Sequence, residues 1–500
     1  DTGGASKVEF VGDEQITTAV ITADTIDASG LTGTTGFINS AAAVTLTSSG
    51  TLTFTGSAGA DTIIGDADDN NVITAGAGND TITGGDEVDT LTGGAGDDNI
   101  TMGGTAASTI SGGAGNDTVT STLDITYGQT ITGGDGTDTL SMTDDAITAA
   151  NASVVSGFEV INLAGAADSN HNLDLGNFGN NTFTTINLDN TATTITGHTS
   201  EAVEIDATIT VAIGITADTA ASVTTDSITI NSKVADAGNS TGTITLTNIE
   251  SVTITTDDTE DAGYETADYK IIANSATTLT ITGDSGIDFE EESSSFDSLT
   301  TLDASGMTNT ASTEGIIFTS QLSTTGGVTT FTGSSGADTF TGLSTTDDTF
   351  SGGAGADTLV YKGRADTFTG GAGNDTFDVD ADGVYTSSLS QYLTITDLTA
   401  GDTIDLAGVE NSGTTTIETT VISLGAAATF ANYLDAAAAS TDVGTNSDAE
   451  WFQYGGDSYL VLDNSTNSTF TSGTDTLIKL DNNFDLGSST ISSGGVITAV

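Results

Sequence analysis

Aspartate recurs along this chain in a fixed setting, behind glycines and just ahead of a large apolar residue. Three stretches show it best: Gly-Gly-Ala-Gly-Asp-Asp-Asn-Ile (Gly93 to Ile100), Gly-Gly-Ala-Gly-Asn-Asp-Thr-Val (Gly112 to Val119) and Gly-Gly-Ala-Gly-Asn-Asp-Thr-Phe (Gly370 to Phe377). Each is a copy of the nonapeptide G-G-x-G-x-D-x-U-x, with U large and apolar, which is the signature of a calcium-binding parallel β-roll. Glycines allow sharp turns at positive φ and bring carbonyl oxygens to the inside of the turn. The aspartate adds a carboxylate. Calcium takes roughly six to eight oxygens at flexible geometry, which suits carbonyls together with carboxylates, whereas magnesium demands a tighter octahedron. Zinc wants His or Cys, and the chain has only His171 and His198 and no cysteine.

The candidate calcium ligands fall in two blocks. In residues 56–143 they are Asp61, Asp80, Asp89, Asp98, Asp117 and Asp138, with loop glycines Gly78, Gly96, Gly115 and Gly136. The apolar positions read Ile63, Val72, Ile82, Leu91, Ile100, Ile110 and Val119, nine or ten residues apart, and Leu140 follows an insertion around Tyr127. Two copies are degenerate, with Asn70 and Ser108 where aspartate is expected. In residues 333–382 the candidates are Asp338, Asp348, Asp357, Asp366 and Asp375, with Gly336, Gly355 and Gly373. Glycines are sparse around Asp348 and Asp366, which predicts weaker sites there. Two nonapeptides make one turn of the coil, so loops on one edge lie two repeats apart: Asp80 with Asp98, and Asp98 with Asp117. An ion between stacked loops would draw oxygens from both.

The elements that must carry these loops are strands. Thr, Val and Ile are abundant throughout, and these residues favour the pleated conformation. Between the blocks, residues 144–332 lose the glycine motif but keep short alternating segments such as Glu159–Leu163, Ser227–Asn231, Ser251–Thr255 and Thr278–Thr282. Their period of two and irregular recurrence suit solenoid rungs; a β-sandwich of the same strands is the alternative. Residues 1–55 read as an N-terminal β segment. Residues 383–500 read as a cap over the last apolar rung, with strands at Leu393–Leu398 and Thr403–Leu406, a helix at Ala426–Ala439 and a hairpin running from Trp451 to Leu462 through Gly455-Gly456. The fold expected is all-β: a parallel β-roll or β-solenoid with a C-terminal β-rich cap.

Charge narrows the function. Seventy acidic residues face six Lys plus Arg, a formal net charge of −64. The cations form no patch, which excludes nucleic acid binding. A charge this large opposes compaction, and bound divalent cations are the simplest remedy where aspartates cluster. No apolar run approaches the roughly 20 residues of a membrane-spanning helix. The chain opens on Asp1 rather than Met, as a processed protein or a fragment does. Enzyme motifs are weak. Gly283-Asp-Ser-Gly286 resembles the surroundings of some serine nucleophiles, but a triad needs a histidine and a buried acid beside Ser285, and both histidines sit in polar, loop-like sequence. No enzymatic activity is expected. The acidic runs Asp257–Asp261 and Glu290–Glu292 read as solvated loops.

The nonapeptides resemble those of the RTX (repeats-in-toxin) family, the hemolysin-type calcium-binding repeats exported from Gram-negative bacteria by type I secretion. The likeness extends to Gly352–Tyr361, Asp366–Gly371, Gly425–Thr429, Tyr433–Ala438, Trp451–Asp457 and Leu477–Leu480, and to Gly133–Asp138 and Gly157–Glu159. In that order these segments look like the RTX-type crystalline surface-layer (S-layer) proteins of alphaproteobacteria, over most of residues 56–500. The resemblance implies a secreted structural protein at the cell surface, with multiple Ca2+ ions. It also implies self-association into a two-dimensional lattice, hexameric in the relatives, and an uncleaved secretion signal near the C-terminus. The relatives hold lipopolysaccharide through a separate helix-rich N-terminal domain, which no part of this chain resembles. The alternatives are an RTX adhesin, or the repeat and secretion part of an RTX hydrolase.

Overall fold

The computed structural model describes residues 7–12, 20–22, 25–31, 45–47, 51–104, 107–121, 125, 128–142, 154–163, 171–178, 180–188, 193–198, 202–205, 212–217, 226–233, 242–257, 267–268, 270–289, 295–308, 315–318, 329–343, 345–379, 391–406, 420–439, 449–463, 467–472, 474–492 and 495–500. Tyr127, the Glu290–Glu292 run and Asp258–Asp261 lie outside these residues, as do the side chains of His171 and His198. The chain forms two compact units, residues 1–207 with 211–224, and residues 208–210 with 225–500. Each holds one block of repeats.

In the first unit most strands alternate between two parallel sheets; Val20–Thr22 pairs with Thr45–Thr47, and His171–Asp174, Thr193–His198 and Ala212–Ala217 form a further parallel sheet. One runs Lys7–Gly12, Thr25–Leu31, Leu52–Thr55, Asn71–Ala77, Thr90–Ala95, Thr109–Ala114, Thr130–Asp135 and Val155–Ser156. The other runs from Thr62–Ile64 through Thr81–Thr83, Asn99–Met102, Thr118–Ser121 and Thr139–Met142 to Val160–Leu163, Thr185–Leu188 and Ala202–Ile205. Every strand pairs with the one two places along the chain, so each turn of the coil lays one strand on each sheet. Side chains alternate along a strand, and the central apolar residue of each points inward. Ile82, Ile100, Val119, Leu140 and Ile161 stack in register on one sheet, and Ile73, Leu91, Ile110 and Ile131 on the other, all fully buried.

The pairing moves one predicted rung. Ile73, not Val72, is opposite Leu91 and buried, while Val72 is 37% exposed. The loop after Thr62–Ile64 carries one more residue than the repeat allows, and no glycine signature pins its register. The ladder position is therefore Asn71, not Asn70.

The second unit repeats the scheme. One sheet runs Ser227–Lys233, Ser251–Asp257, Thr278–Gly283, Thr301–Met307, Thr330–Thr332, Thr349–Ala354, Thr367–Ala372 and Leu393–Ile395. The other runs Ala267–Asp268, Ile287–Asp288, Ile316–Phe318, Thr339–Thr341, Thr358–Tyr361, Thr376–Val379 and Thr403–Asp405. All these pairs are parallel, and a β-sandwich needs antiparallel strands, so that alternative fails. Phenylalanine fills this core: Phe331, Phe350 and Phe368 follow one another with centroids 4.9 and 5.0 Å apart.

Parallel stacking stops at the C-terminal end. Thr476–Leu480 joins Leu393–Ile395 in parallel, then pairs antiparallel with Asp457–Leu462, which pairs antiparallel with Ala449–Tyr454. This small sheet is buried on both faces, which its near-continuous apolar sequence requires. One face packs under α1 (Phe430–Ala439), where Leu434 and Ala437 meet Phe452, Tyr459, Val461 and Leu477. The helix starts four residues later than its sequence pattern begins: the Thr429 side chain accepts from the Asn432 amide, an N-terminal cap. Exposed strand edges invite pairing with other chains, and antiparallel closure under a helix covers this one.

Candidate calcium ladder

The repeat loops lie on the edges of the coil, where the chain crosses between sheets. In the loop Gly93–Asp98, Gly94 takes φ +128°, and a Cβ there would collide with the Gly76 carbonyl of the rung before. Glycine is required because the loops stack backbone on backbone. Gly96 (φ +124°) repeats the constraint against Gly78. Of the other predicted loop glycines, Gly78, Gly115, Gly136, Gly355 and Gly373 share the positive φ, while Gly336 does not.

Each aspartate then does two things. Its carbonyl accepts from the residue opening the next strand, as Asp80 does from Asn99 and Asp98 from Thr118, both 2.8 Å. Where an aspartate also stands one rung earlier, Oδ1 accepts from that residue's main-chain N–H. Asp61 N–H donates to Asp80 at 2.7 Å, and Asp80 to Asp98, Asp98 to Asp117 and Asp117 to Asp138 at 2.8 Å. The second block continues the pattern: Asp338 donates to Asp357 (2.8 Å) and Asp357 to Asp375 (3.0 Å). On its opposite edge Asp348 donates to Asp366 (2.8 Å). The eleven predicted aspartates are all buried in these ladders, at 3% exposure or less.

The second oxygen is where the sites divide. Oδ2 of Asp80, Asp98, Asp117, Asp138, Asp357, Asp366 and Asp375 is buried and accepts no hydrogen bond. Such an orphaned acceptor is costly and calls for a partner. Burial raises these carboxyls: Asp80 and Asp357 to about 7, Asp98 and Asp138 to about 6, and Asp366 to about 8. Neighbouring carboxylates raise them further, Asp61 and Asp98 acting on Asp80. The first glycine of each loop makes room for the free oxygen. At Gly93 a Cβ would run into Asp98 Oδ2 and stand 2.7 Å from the Gly112 carbonyl. At Gly112 it would meet Asp117 Oδ2 and the Gly133 carbonyl. A carboxylate oxygen and a carbonyl oxygen of the next rung thus converge beside a bare Cα.

A hard cation fits this donor set. Among the described residues no three His, Asp or Glu side chains gather at one point, so an ion there would complete its shell from main-chain carbonyls and water, as calcium tolerates.

Where the ladders end, hydroxyls and extra acids take over. Ser57 stands at the second-glycine position of the first rung; its N–H donates to Asp61 Oδ2 (2.7 Å) and its hydroxyl lies 3.0 Å from Oδ1. Ser334 treats Asp338 alike, at 2.7 and 3.0 Å. Downstream, Glu159 Oε2 accepts from Asp138 N–H (2.9 Å), and Asp402 Oδ1 from Asp375 N–H (2.9 Å). Asp402 Oδ2 in turn accepts from the N–H and hydroxyl of Thr399. The nonapeptide pattern missed Ser57, Asn71, Glu159, Ser334, Thr399 and Asp402. A shorter signal, aspartate directly before a Thr-apolar pair, finds Asp402 ahead of Thr403-Ile404.

Ser285 is buried, with its main chain bonded to the Thr256 hydroxyl (Thr256 Oγ1 to Ser285 O, 2.8 Å). No helix among the described residues is long and apolar enough to cross a membrane.

The sequence profile of the RTX calcium-binding nonapeptide repeat (4 copies) matches residues 53–73, 67–100, 102–124, 323–359 and 362–383. No curated protein matches the chain. The matched segments contain most of the glycine loops and ladder aspartates, in both units; the loop Gly133–Asp138 lies outside them. The chain therefore carries RTX calcium-binding nonapeptide repeats in two separate blocks, built into a parallel β-solenoid.

Proposed function

We propose that this protein is a calcium-dependent structural tile, an S-layer lattice subunit carried to the surface of a Gram-negative cell by type I secretion. The observation that carries the reading is the row of buried, unpartnered carboxylate oxygens in a chain of net charge −64. Calcium at those oxygens removes the repulsion between stacked aspartates and couples ion binding to folding. Extracellular modules bind calcium at about 10⁻⁴ to 10⁻³ M, so the chain stays unfolded where calcium is scarce and closes its coil outside the cell. Self-association follows the same logic: acidic subunits of this charge approach one another only with cations between them. No catalytic role is proposed. RTX repeats accompany secreted proteins, and the segments that resemble S-layer proteins, among them those in the helix and hairpin of the cap, favour the lattice over an adhesin or a hydrolase fragment.

Negative-stain microscopy of the purified chain, with calcium and with excess chelator, tests the proposal. Ordered sheets in calcium alone support it. Dispersed particles under both conditions refute the lattice.

A further inference from the structure

The two edges of the first repeat block are chemically unlike. On one, the glycine loops ending at Asp80, Asp98, Asp117 and Asp138 leave a buried carboxylate oxygen unpartnered on every rung. On the other, the ladder reads Asn71, Asp89, Ser108. Asp89 is the one acid at these three ladder positions, and both its oxygens are occupied; the other acids of these loops, Asp66, Asp68, Asp69, Asp86 and Glu87, are not buried. Oδ1 accepts from the Asn71 N–H and from its side-chain amide, each at 2.8 Å. Oδ2 accepts from the Gly85 N–H at 2.8 Å. Asn71 Oδ1 accepts from Asp66 N–H (2.9 Å), and Ser108 Oγ accepts from Asp89 N–H (3.0 Å).

We infer that calcium in the first block is confined to the glycine edge, and that Asn71, Asp89 and Ser108 latch the opposite edge without metal. The inference rests on the reading of the orphaned oxygens as calcium ligands. A cation on the Asn71–Ser108 edge would have to displace main-chain N–H groups from Asp89, leaving buried donors with nowhere to turn. It would also find one buried ladder carboxylate where the glycine edge supplies one on each successive rung. An amide and a hydroxyl at the flanking ladder positions remove the rung-to-rung repulsion that calcium neutralises elsewhere, and leave that of Asp86, in the same loop as Asp89. In the folded coil, therefore, one edge is closed by hydrogen bonds alone and the other by the ion.

The experiment measures calcium bound per chain by equilibrium dialysis of the full protein after chelation and refilling. Asp98→Asn is expected to lower the bound calcium. Asp89→Asn is expected to leave it at the value of the unsubstituted chain. The double variant Asn71→Asp with Ser108→Asp puts acids on both sides of Asp89 and is expected to gain bound calcium, and it reports even if Asp89→Asn fails to fold. Equal losses from Asp98→Asn and Asp89→Asn overturn the inference, as does a double variant that binds no more than the original. An unsubstituted chain that binds no calcium overturns it together with its premise. Grids of the same samples separate it from the lattice: missing sheets with the two edges still distinct refute only the tile, and sheets with indistinct edges refute only this assignment.

Discussion

The glycine edge and the opposite edge of the first block solve one problem in two ways. Both must bury the crossing between parallel sheets, and both do so by having a side-chain oxygen accept the main-chain N–H of the rung before. Where that oxygen belongs to aspartate on successive rungs, each carboxylate after the first, from Asp80 to Asp138, keeps a spare oxygen and a like-charged neighbour. Where it belongs to asparagine or serine, hydrogen bonds close the account internally. The backbone geometry of a solenoid edge therefore does not by itself demand a metal. Runs of acid do.

The largest expected difference comes from removing calcium. At a hundredfold excess over Kd each ion stabilises the folded state by about 2.7 kcal/mol, so chelation should abolish the cooperative thermal transition followed by circular dichroism. A β signal and melting temperature unchanged in excess chelator would contradict the coupling. Next comes the stacked backbone of the glycine edge. Gly113→Ala puts a Cβ against the Gly94 carbonyl at φ +131° and should destabilise by about 3 kcal/mol or more in denaturant titrations with calcium present. Gly214, with open space around its Cβ position, is the control, and Gly214→Ala should stay within about 0.5 kcal/mol.

Acidity should sharpen the contrast. The glycine-edge carboxyls have folded pKa values above the unfolded value of about 3.9, reaching about 7 at Asp80 and about 6 at Asp98 and Asp138. Between those limits the folded, calcium-free chain holds protons that the unfolded chain has lost, so its stability falls as pH rises from about 4 to about 8. Residual structure in chelator should be greater near pH 5 than near pH 8. With saturating calcium the order should reverse, because protons and calcium compete for the same oxygens; equal pH profiles with and without calcium would break the link. The smallest effect belongs to the ladder's first rung. Ser57→Ala removes a hydroxyl from Asp61 and should cost about 1 kcal/mol, read as a small drop in melting temperature with calcium present.

Much of this was legible in the sequence. The strict spacing of Asp80, Asp98 and Asp117, with Ile82, Ile100 and Val119 in phase, carried the coil, the loop edges and the rung-to-rung pairing. Legibility failed where the motif thinned. Between Ile63 and Ile73 the extra residue could have been placed on either side of Asn70, and only pairing with Leu91 decides it. Glu159 was hidden because a longer side chain performs an aspartate's task from a loop that keeps a single glycine, Gly157, of the motif. Ser57 and Ser334 were hidden because serine replaces a glycine that the pattern treats as a turn residue, whereas there its hydroxyl is a ligand for the acid. The difference between the two edges was invisible for a related reason: whether a carboxylate oxygen is spare depends on which N–H groups reach it, and those come from neighbouring rungs.

The decisive measurement is a high-resolution density map of the calcium-loaded protein around Gly93–Asp98 and Gly112–Asp117. Ion peaks beside the Oδ2 atoms of Asp98 and Asp117, about 2.3–2.6 Å away, with none at Asp89, are what this account predicts. An intact coil whose aspartate turns hold only water would contradict it.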